Sequence, residues 1–214
     1  MCCSIQFHNP QENRDSRLDV FVCRRQSNAL SSQIQGCISR YRTFGQSGSK
    51  RQLLLPIFIW EPGLVAGPRA SANRTWFLRE SVTELAANLR ALGSDLVELQ
   101  GPAATALPQL VGELRAAGGV GDIDLFMTRD HTPFARKRDR DVAELLSPLD
   151  VHVHAKRGLV VVEPEELLTG GGTPYGVYTP YFRRWLEQID ASAPLPAPKT
   201  LPPLPTPTPE STFD

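Results

Sequence analysis

The sequence predicts an α/β fold with a doubly wound, mainly parallel sheet. Residues 53–60 form a continuous apolar run, a helical pattern follows it, and short apolar runs then alternate with helical stretches up to about residue 190. An uninterrupted apolar strand is typical of a sheet that is covered on both faces. Repeated alternation of strand and helix predicts parallel strands joined by right-handed crossovers. We therefore expect the layers of Rossmann-like and flavodoxin-like folds.

The spacing of apolar residues predicts three helices in this region. The first spans about residues 73–92, and Gly93 follows it as a C-terminal stop. The steps of four and three residues between its leucines and valine predict one buried face, made of Leu78, Val82, Leu85, Leu89 and Leu92. A second helix is predicted at 103–117. A third is predicted at 134–146, with three inward-facing residues, Val142, Leu145 and Leu146.

Short apolar runs predict the strands. Besides 53–60, they are found at 18–23, 96–99, 123–127, 151–154 and 159–162. The chain thus divides into three zones. Residues 1–52 are poorly patterned, with eight Lys/Arg against three Asp/Glu and a loop-like stretch at 45–50. Residues 53–190 carry the α/β pattern, and residues 191–214 form a proline-rich tail.

The tail has a composition that argues against a packed core. Eight of the chain's 19 prolines lie between Pro194 and Pro209. Such a segment is expected to be extended or disordered. The run 202–205 fits a PxxP ligand, but a linker is the favoured interpretation.

Composition limits the function classes. The formal net charge is zero, which argues against strong DNA binding by this chain alone. The longest apolar run has eight residues, far short of the roughly 20 that a membrane-spanning helix needs, so no membrane association is expected. The cysteines lack the spacing of a metal site and indicate reduced thiols in a cytoplasmic protein; they are Cys2, Cys3, Cys23 and Cys37.

The motifs of several enzyme classes are absent. The sequence has no G-x-G-x-x-G, no phosphate-binding P-loop and no G-x-S-x-G, so neither classical dinucleotide binding nor serine hydrolysis is indicated. His152 and His154 share one face of a predicted strand, where a structural or surface role is favoured over a metal site. His131 follows a strand at the edge where open α/β sheets bind ligands.

A basic cluster predicts a solvated helix face with local ion pairs and comprises Arg129, Arg136, Lys137, Arg138 and Arg140.

Several spaced motifs, in order, resemble the N-terminal α/β domain of the DNA photolyase/cryptochrome family. The segment Thr-Arg-Asp-His-Thr-Pro-Phe-Ala-Arg-Lys-Arg-Asp at 128–139 is similar to the family's Asn-x-Asp-x-x-Pro-(Tyr/Phe)-x-x-x-Arg-Asp, with Thr128 in place of Asn. Residues 172–175 and 178–185 resemble its G-x-P-Y and F-T-P-F-x-R-x-W motifs. Segments 56–62 and 72–81 resemble its second strand and the start of its second helix.

The resemblance implies a domain that holds an antenna chromophore, a folate, a deazaflavin or a flavin. By the same resemblance, Phe58, Arg74 and Asp130 line the antenna pocket. Phe58 would form an aromatic wall, Arg74 would pair with an acidic tail, and Asp130 would accept a hydrogen bond from the ring. In that family the antenna passes excitation energy to FAD in a following helical domain. Reduced FAD there donates an electron to a pyrimidine dimer, or the protein serves as a blue-light photoreceptor.

Two departures from the family pattern shape the expectations. After the strand at 18–23, which should be central in the sheet, only the pair Arg24-Arg25 survives of the family's Arg-Arg-Asp-Leu-Arg run. The sequence also ends where the interdomain linker would begin, which implies a truncated relative without the FAD-binding helical domain. That domain is the expected partner and the route to DNA, so no catalytic residue is assigned and repair by this chain alone is not expected. The alternatives are a nonfunctional fragment and a nucleotide-binding α/β module.

Overall fold

Five parallel strands form one sheet. The computed structural model describes residues 17–23, residues 52–189 apart from 69 and 119, and residues 199–211 apart from 203 and 207. The strands are β1 (Arg17–Cys23), β2 (Gln52–Trp60), β3 (Val97–Gln100), β4 (Asp122–Thr128) and β5 (Val151–Lys156). Their order is β3-β2-β1-β4-β5. The predicted parallel α/β sheet is confirmed.

The first strand occupies the centre of the sheet, as expected. Leu18 of β1 is level with Leu53 of β2 on one side and with Ile123 of β4 on the other. The chain moves outward from β1 through β2 to β3, then returns to the other side of β1 for β4 and β5. The order of strands therefore reverses between β1 and β4. Arg24, Arg25 and the predicted loop at 45–50 lie outside the described residues.

The predicted helices are confirmed within one or two residues. The described helices are α1 (Pro62–Val65), α2 (Ala72–Ala91), α3 (Ala103–Ala116), α4 (Pro133–Leu146) and α5 (Tyr178–Gln188). Two short 3-10 helices add Ser147–Leu149 and Pro164–Glu166. Gly93, just after the end of α2, has a φ of +88°. This left-handed conformation costs glycine little and stops the helix from continuing.

Alternation along the strands divides the core into two layers. Ile57 and Ile59 of β2 belong to a large cluster with the buried faces of α3 and α4. Phe58 and Trp60, which point to the opposite face, pack with the buried stripe of α2. In α4, Val142 and Leu146 are buried as predicted. Leu145 is 46% exposed, so its predicted inward orientation is wrong; its position falls at the edge of the stripe.

The strand predicted at 159–162 is not formed. These residues adopt an irregular loop, and Val161 is 64% exposed. A β-branched run needs a neighbouring strand to pair with, and no described strand pairs with this one. Gly158 and Pro164 bracket the run and leave it short, so the chain turns before a ladder can begin.

The described part of the tail lies against the domain. The Leu201 N–H donates to the Leu92 carbonyl at 3.0 Å, and the Glu98 N–H donates to Ser211 Oγ at 3.1 Å. Leu204 packs against the large cluster, and Pro205 is fully buried. The described part of the tail has no helix or strand, and it is packed against the domain. Burial of Pro205 makes the PxxP run unavailable as a free ligand in this arrangement.

Candidate functional site

A cavity of about 260 Å³ opens at the carboxyl ends of the central strands. It lies beside the point where the strand order reverses, which is where open α/β sheets bind ligands. Val22 of β1, Ile59 of β2 and Met127 of β4 line it from the sheet. Helices α3 and α4 close the sides through Ala103, Leu107, Ala135 and Val142. The lining is thus apolar at its base, as in most small-molecule sites.

Two carboxylates stand among the lining residues, and both are oriented by the backbone. Asp130 Oδ1 accepts a hydrogen bond from the Thr132 N–H at 2.9 Å, and Thr132 Oγ1 accepts one from the Ala135 N–H at 3.3 Å. Glu61 Oε1 accepts from the Ala103 N–H, at the start of α3, at 3.0 Å. Each carboxylate retains capacity to accept further hydrogen bonds. The cavity therefore presents acceptors suited to ring N–H groups.

Arg138 and Phe134 of α4 also line the cavity. The Arg138 guanidinium carbon lies 5.8 Å from the centre of the Phe134 ring, and its Nη2 is 3.1 Å from Asp139 Oδ1. Phe134 is 67% exposed although it borders the cavity. An exposed ring at a cavity mouth offers a surface for stacking, and a guanidinium can pair with a carboxylate or phosphate.

Two of the three predicted pocket residues border this cavity. Asp130 and Phe58 both contribute to its lining. The Phe58 ring, however, points to the opposite face of the sheet, toward α2, where its centre lies 4.9 Å from that of the Trp60 ring. Arg74 lies in the exposed first turn of α2, where Ser71 Oγ accepts its backbone N–H, and it is outside the lining of this cavity. Its role at an acidic tail stays a prediction.

Comparison with known proteins decides the family. The family model for DNA photolyase matches residues 45–201. This chain belongs to the DNA photolyase family. Its α/β fold matches that family's N-terminal domain.

Individual relatives agree with this assignment. A 31.6 kDa protein of Synechococcus sp. (strain PCC 6716) is 30% identical over 148 residues, which make up 69% of this chain and 50% of that protein. Cryptochrome DASH of Gloeobacter violaceus is 35% identical over 143 residues, covering 62% of this chain and 25% of the relative. The class III photolyase structure from Agrobacterium tumefaciens superimposes with a TM-score of 0.66 at 24% identity, covering 92% of this chain and 37% of that one. The photolyase-family chain thus spans half or less of these relatives.

Beside the cavity, His131 lies between two carboxylates. Its Nε2 is 3.0 Å from Glu163 Oε2, and its Nδ1 is 3.6 Å from Glu165 Oε1. These three residues could hold a metal ion, since one ligand atom from each lies within 4.8 Å of the others. However, Arg129 and Arg157 also contact Glu163, and Arg136 contacts Glu165, at 3.6–3.7 Å. These guanidinium groups already offset the carboxylate charge, which favours an ion-pair network over a metal site.

The predicted ion pairs of the basic cluster are present. Lys137 Nζ is 2.7 Å from Asp141 Oδ2, four residues further along α4. Arg138 pairs with Asp139, and Arg129 and Arg136 pair with the glutamates that follow β5. The cluster is therefore largely neutralised within the photolyase-family domain itself.

The two predicted strand histidines have different surroundings. His154 Nε2 is 2.6 Å from Oδ1 of the buried Asp124, and its ring stacks on Phe126 with centroids 4.7 Å apart. Phe126 in turn stacks on Phe21 at 4.8 Å. His152 is exposed. These contacts agree with the structural or surface role that was favoured for both.

Helix α5 presents an aromatic surface and buries none of its residues. We call Tyr178, Tyr181, Phe182, Trp185 and Leu186 the α5 aromatic face. Tyr178 and Phe182 stack at 5.6 Å, and Phe182 and Trp185 at 6.0 Å. Exposed apolar patches of this kind are typical of interaction sites. None of the described helices has the length and apolarity needed to cross a bilayer.

Sequence reasoning did not assign several lining residues to the pocket. The sequence places Phe134 and Arg138 on α4 but does not show which way their side chains face. Glu61 directly follows β2, and Thr132 precedes α4 as its N-cap. Only their position in the sequence could have indicated them. All four follow the carboxyl end of β2 or β4, which lies at the edge of the sheet where ligands bind.

Proposed function

We propose that this chain binds an antenna chromophore in the cavity beside Asp130 and Phe134. The observation that carries the proposal is the combination of an apolar base, two backbone-oriented carboxylates and an aromatic rim at the point where the strand order reverses. At about 260 Å³ the cavity is slightly smaller than the usual range for small-molecule sites, roughly 300–1,000 Å³. This size suits a fused ring with its tail outside, and folate, deazaflavin and flavin all have such a ring.

Each lining residue has a role in this proposal. Phe134 stacks against the ring, and Asp130 accepts a hydrogen bond from a ring N–H. Arg138 pairs with an anionic tail, a role for which Arg74 had been predicted. Phe58 forms part of the wall where β2 ends. The apolar base excludes water, so the hydrogen bond to Asp130 forms in an environment where it is stronger than in bulk solvent.

A helical FAD-binding domain is the proposed partner. In this view the bound antenna absorbs light and transfers its excitation to FAD held by that partner. The α5 aromatic face provides a surface for such docking, since an aromatic cluster is typical of the centre of an interface. Repair of DNA, as by a deoxyribodipyrimidine photo-lyase, or blue-light reception would then require both parts. DNA would be contacted through the partner.

Spectroscopic titration tests the proposal. The purified full chain is mixed with 5,10-methenyltetrahydrofolate, an 8-hydroxy-5-deazaflavin or FMN, and binding is followed by chromophore fluorescence. We expect saturable binding of at least one chromophore, and about tenfold weaker binding by Asp130→Asn, because a charge-assisted hydrogen bond is lost. The matched control is Asp141→Asn, since Asp141 pairs with Lys137 outside the cavity lining. Absence of binding to all three chromophores would refute the proposal, as would equal losses in the two variants.

A further inference from the structure

We propose that Glu163 is a positioning residue that holds the rim of the chromophore cavity from outside it. The inference rests on the proposed function, because its purpose is to fix Asp130 for ligand binding. Glu163 lies in the loop after β5 and is outside the lining of the cavity. Arg129 and His131 flank Asp130 in the chain, and both contact the carboxylate of Glu163.

Glu163 contacts the residues on both sides of Asp130, which lies at the edge of the cavity. Glu163 Oε2 is 3.6 Å from Arg129 Nη1 and 3.0 Å from His131 Nε2. One carboxylate therefore meets the residue immediately before Asp130 and the residue immediately after it. Asp130 itself borders the cavity and accepts the Thr132 N–H. These contacts restrain the side chains on both sides of Asp130 and, through them, the backbone that carries it.

Burial makes these contacts strong constraints. The Glu163 side chain is 4% exposed. The Glu163 charge is offset by the guanidinium groups of Arg129 and of Arg157, whose Nε is 3.7 Å from Oε1, and His131 Nε2 lies 3.0 Å from Oε2. An uncompensated buried carboxylate is costly, so the loop is held where it supplies these partners.

The loop that carries Glu163 and the rim segment 129–132 are each anchored by a hydrogen bond from a backbone N–H. The Arg129 N–H donates to the Lys156 carbonyl at 2.7 Å, which extends the pairing of β4 with β5. The Glu163 N–H donates to Glu166 Oε2 at 3.3 Å, and Glu166 pairs with Arg157. Glu163 thus acts from a fixed base, and the rim segment 129–132 is the part that its side chain restrains.

A double-mutant cycle tests this role. Chromophore affinity is measured for the full chain, Glu163→Gln, Asp130→Asn and the double variant, with the three probes named above. If Glu163 acts through Asp130, Glu163→Gln weakens binding about tenfold in the original background but less than about twofold in the Asp130→Asn background, because coupled residues give non-additive effects. Glu163→Asp should recover part of the affinity. Equal losses in both backgrounds would overturn the proposal, since Glu163 would then act independently of Asp130.

A second readout separates this proposal from the proposed function. Amide hydrogen exchange of the free protein is measured at residues 129–132, especially at the Thr132 N–H that Asp130 accepts. We expect faster exchange in Glu163→Gln. Glu144→Gln, at an exposed position of α4, is the control and should leave exchange of the Thr132 N–H near the original rate. Unchanged exchange in Glu163→Gln would overturn the positioning role. Lack of chromophore binding by the original chain would instead overturn the proposed function.

Discussion

Helices α4 and α5 have similar amphipathic patterns but opposite surroundings. In α4, Ala135, Val142 and Leu146 are buried against the sheet, and Thr132 caps the N-terminus. In α5 no residue is buried, and Val177 at its N-cap position provides no side-chain hydrogen bond. Both helices follow segments rich in turn residues. An apolar stripe predicts that a helix has a partner, but it does not identify the partner.

Because their surroundings differ, the two helices are expected to have different roles. The apolar face of α4 is accounted for by the core and by the cavity, so it serves folding and the proposed chromophore site. The α5 aromatic face is exposed and is the surface proposed to dock a partner. Substitutions in α4 should therefore change stability, whereas substitutions on the α5 aromatic face should change binding to a partner.

The largest expected effect is a loss of stability in α4. Leu146→Ala should lower the free energy of unfolding by about 3 kcal/mol, because it opens a cavity in a fully buried position. Leu186→Ala in α5, at a position 51% exposed, should change it by less than about 0.5 kcal/mol. Denaturant unfolding of both variants checks the contrast. Similar losses would mean that α5 is part of the same core.

The second effect concerns partner binding by α5. Phe182→Ser should weaken binding to the helical portion of a family member, supplied as a separate polypeptide, by at least about tenfold, because aromatic anchors dominate interface energies. Calorimetric titration measures the affinity. Arg183→Ser, an exposed neighbour, is the control and should bind nearly as the original chain does. A Phe182→Ser variant that binds normally would break the proposed role of the α5 aromatic face.

The N-cap of α4 gives a smaller effect. Thr132→Ala removes the acceptor for the Ala135 N–H and should lower stability by about 1 kcal/mol. Thr105→Ala, in the exposed first turn of α3, makes no such cap and should cost less. Thermal unfolding of the two variants is the measurement. Equal shifts would show that the cap does not help to fix α4.

The smallest effect is a pH dependence at Glu165. A hydrogen bond from backbone N–H lowers the pKa of this carboxyl below its usual value of 4.5; partial burial opposes the shift, and His131, Arg136 and Arg129 reinforce it. Because the folded pKa lies below the unfolded one, the stabilisation is present above about pH 4.5 and is lost as the pH falls through the folded pKa. The stability difference between the original chain and Glu165→Gln should therefore shrink on acidification. A difference that stays constant from about pH 6 to pH 3 would contradict this.

Much of the fold could be predicted from local pattern. The apolar run at 53–60 and the spaced leucines from Leu78 to Leu89 each carry their own periodicity, and both predictions are confirmed. The failure at 159–162 has a different origin. A β-branched run can be recognised locally, but whether it forms a strand depends on a neighbour that only the three-dimensional arrangement supplies.

The candidate site shows the same limit. Asp130 could be singled out because it follows a strand at the ligand-binding edge and lies in a family motif. Arg138 and Phe134 were visible on α4, but their approach to the cavity depends on how that helix packs. Glu163 lies far from Asp130 in the sequence, and a glutamate before a proline has no pattern that predicts burial against Arg129 and His131.

The most direct test of the central claim is a crystal structure of the full chain with its tightest-binding chromophore. We expect density for the ring between the ends of β1, β2 and β4 and helices α3 and α4, with Asp130 within hydrogen-bonding distance of a ring nitrogen. A chromophore bound stoichiometrically elsewhere on the domain, with this cavity empty, would contradict it.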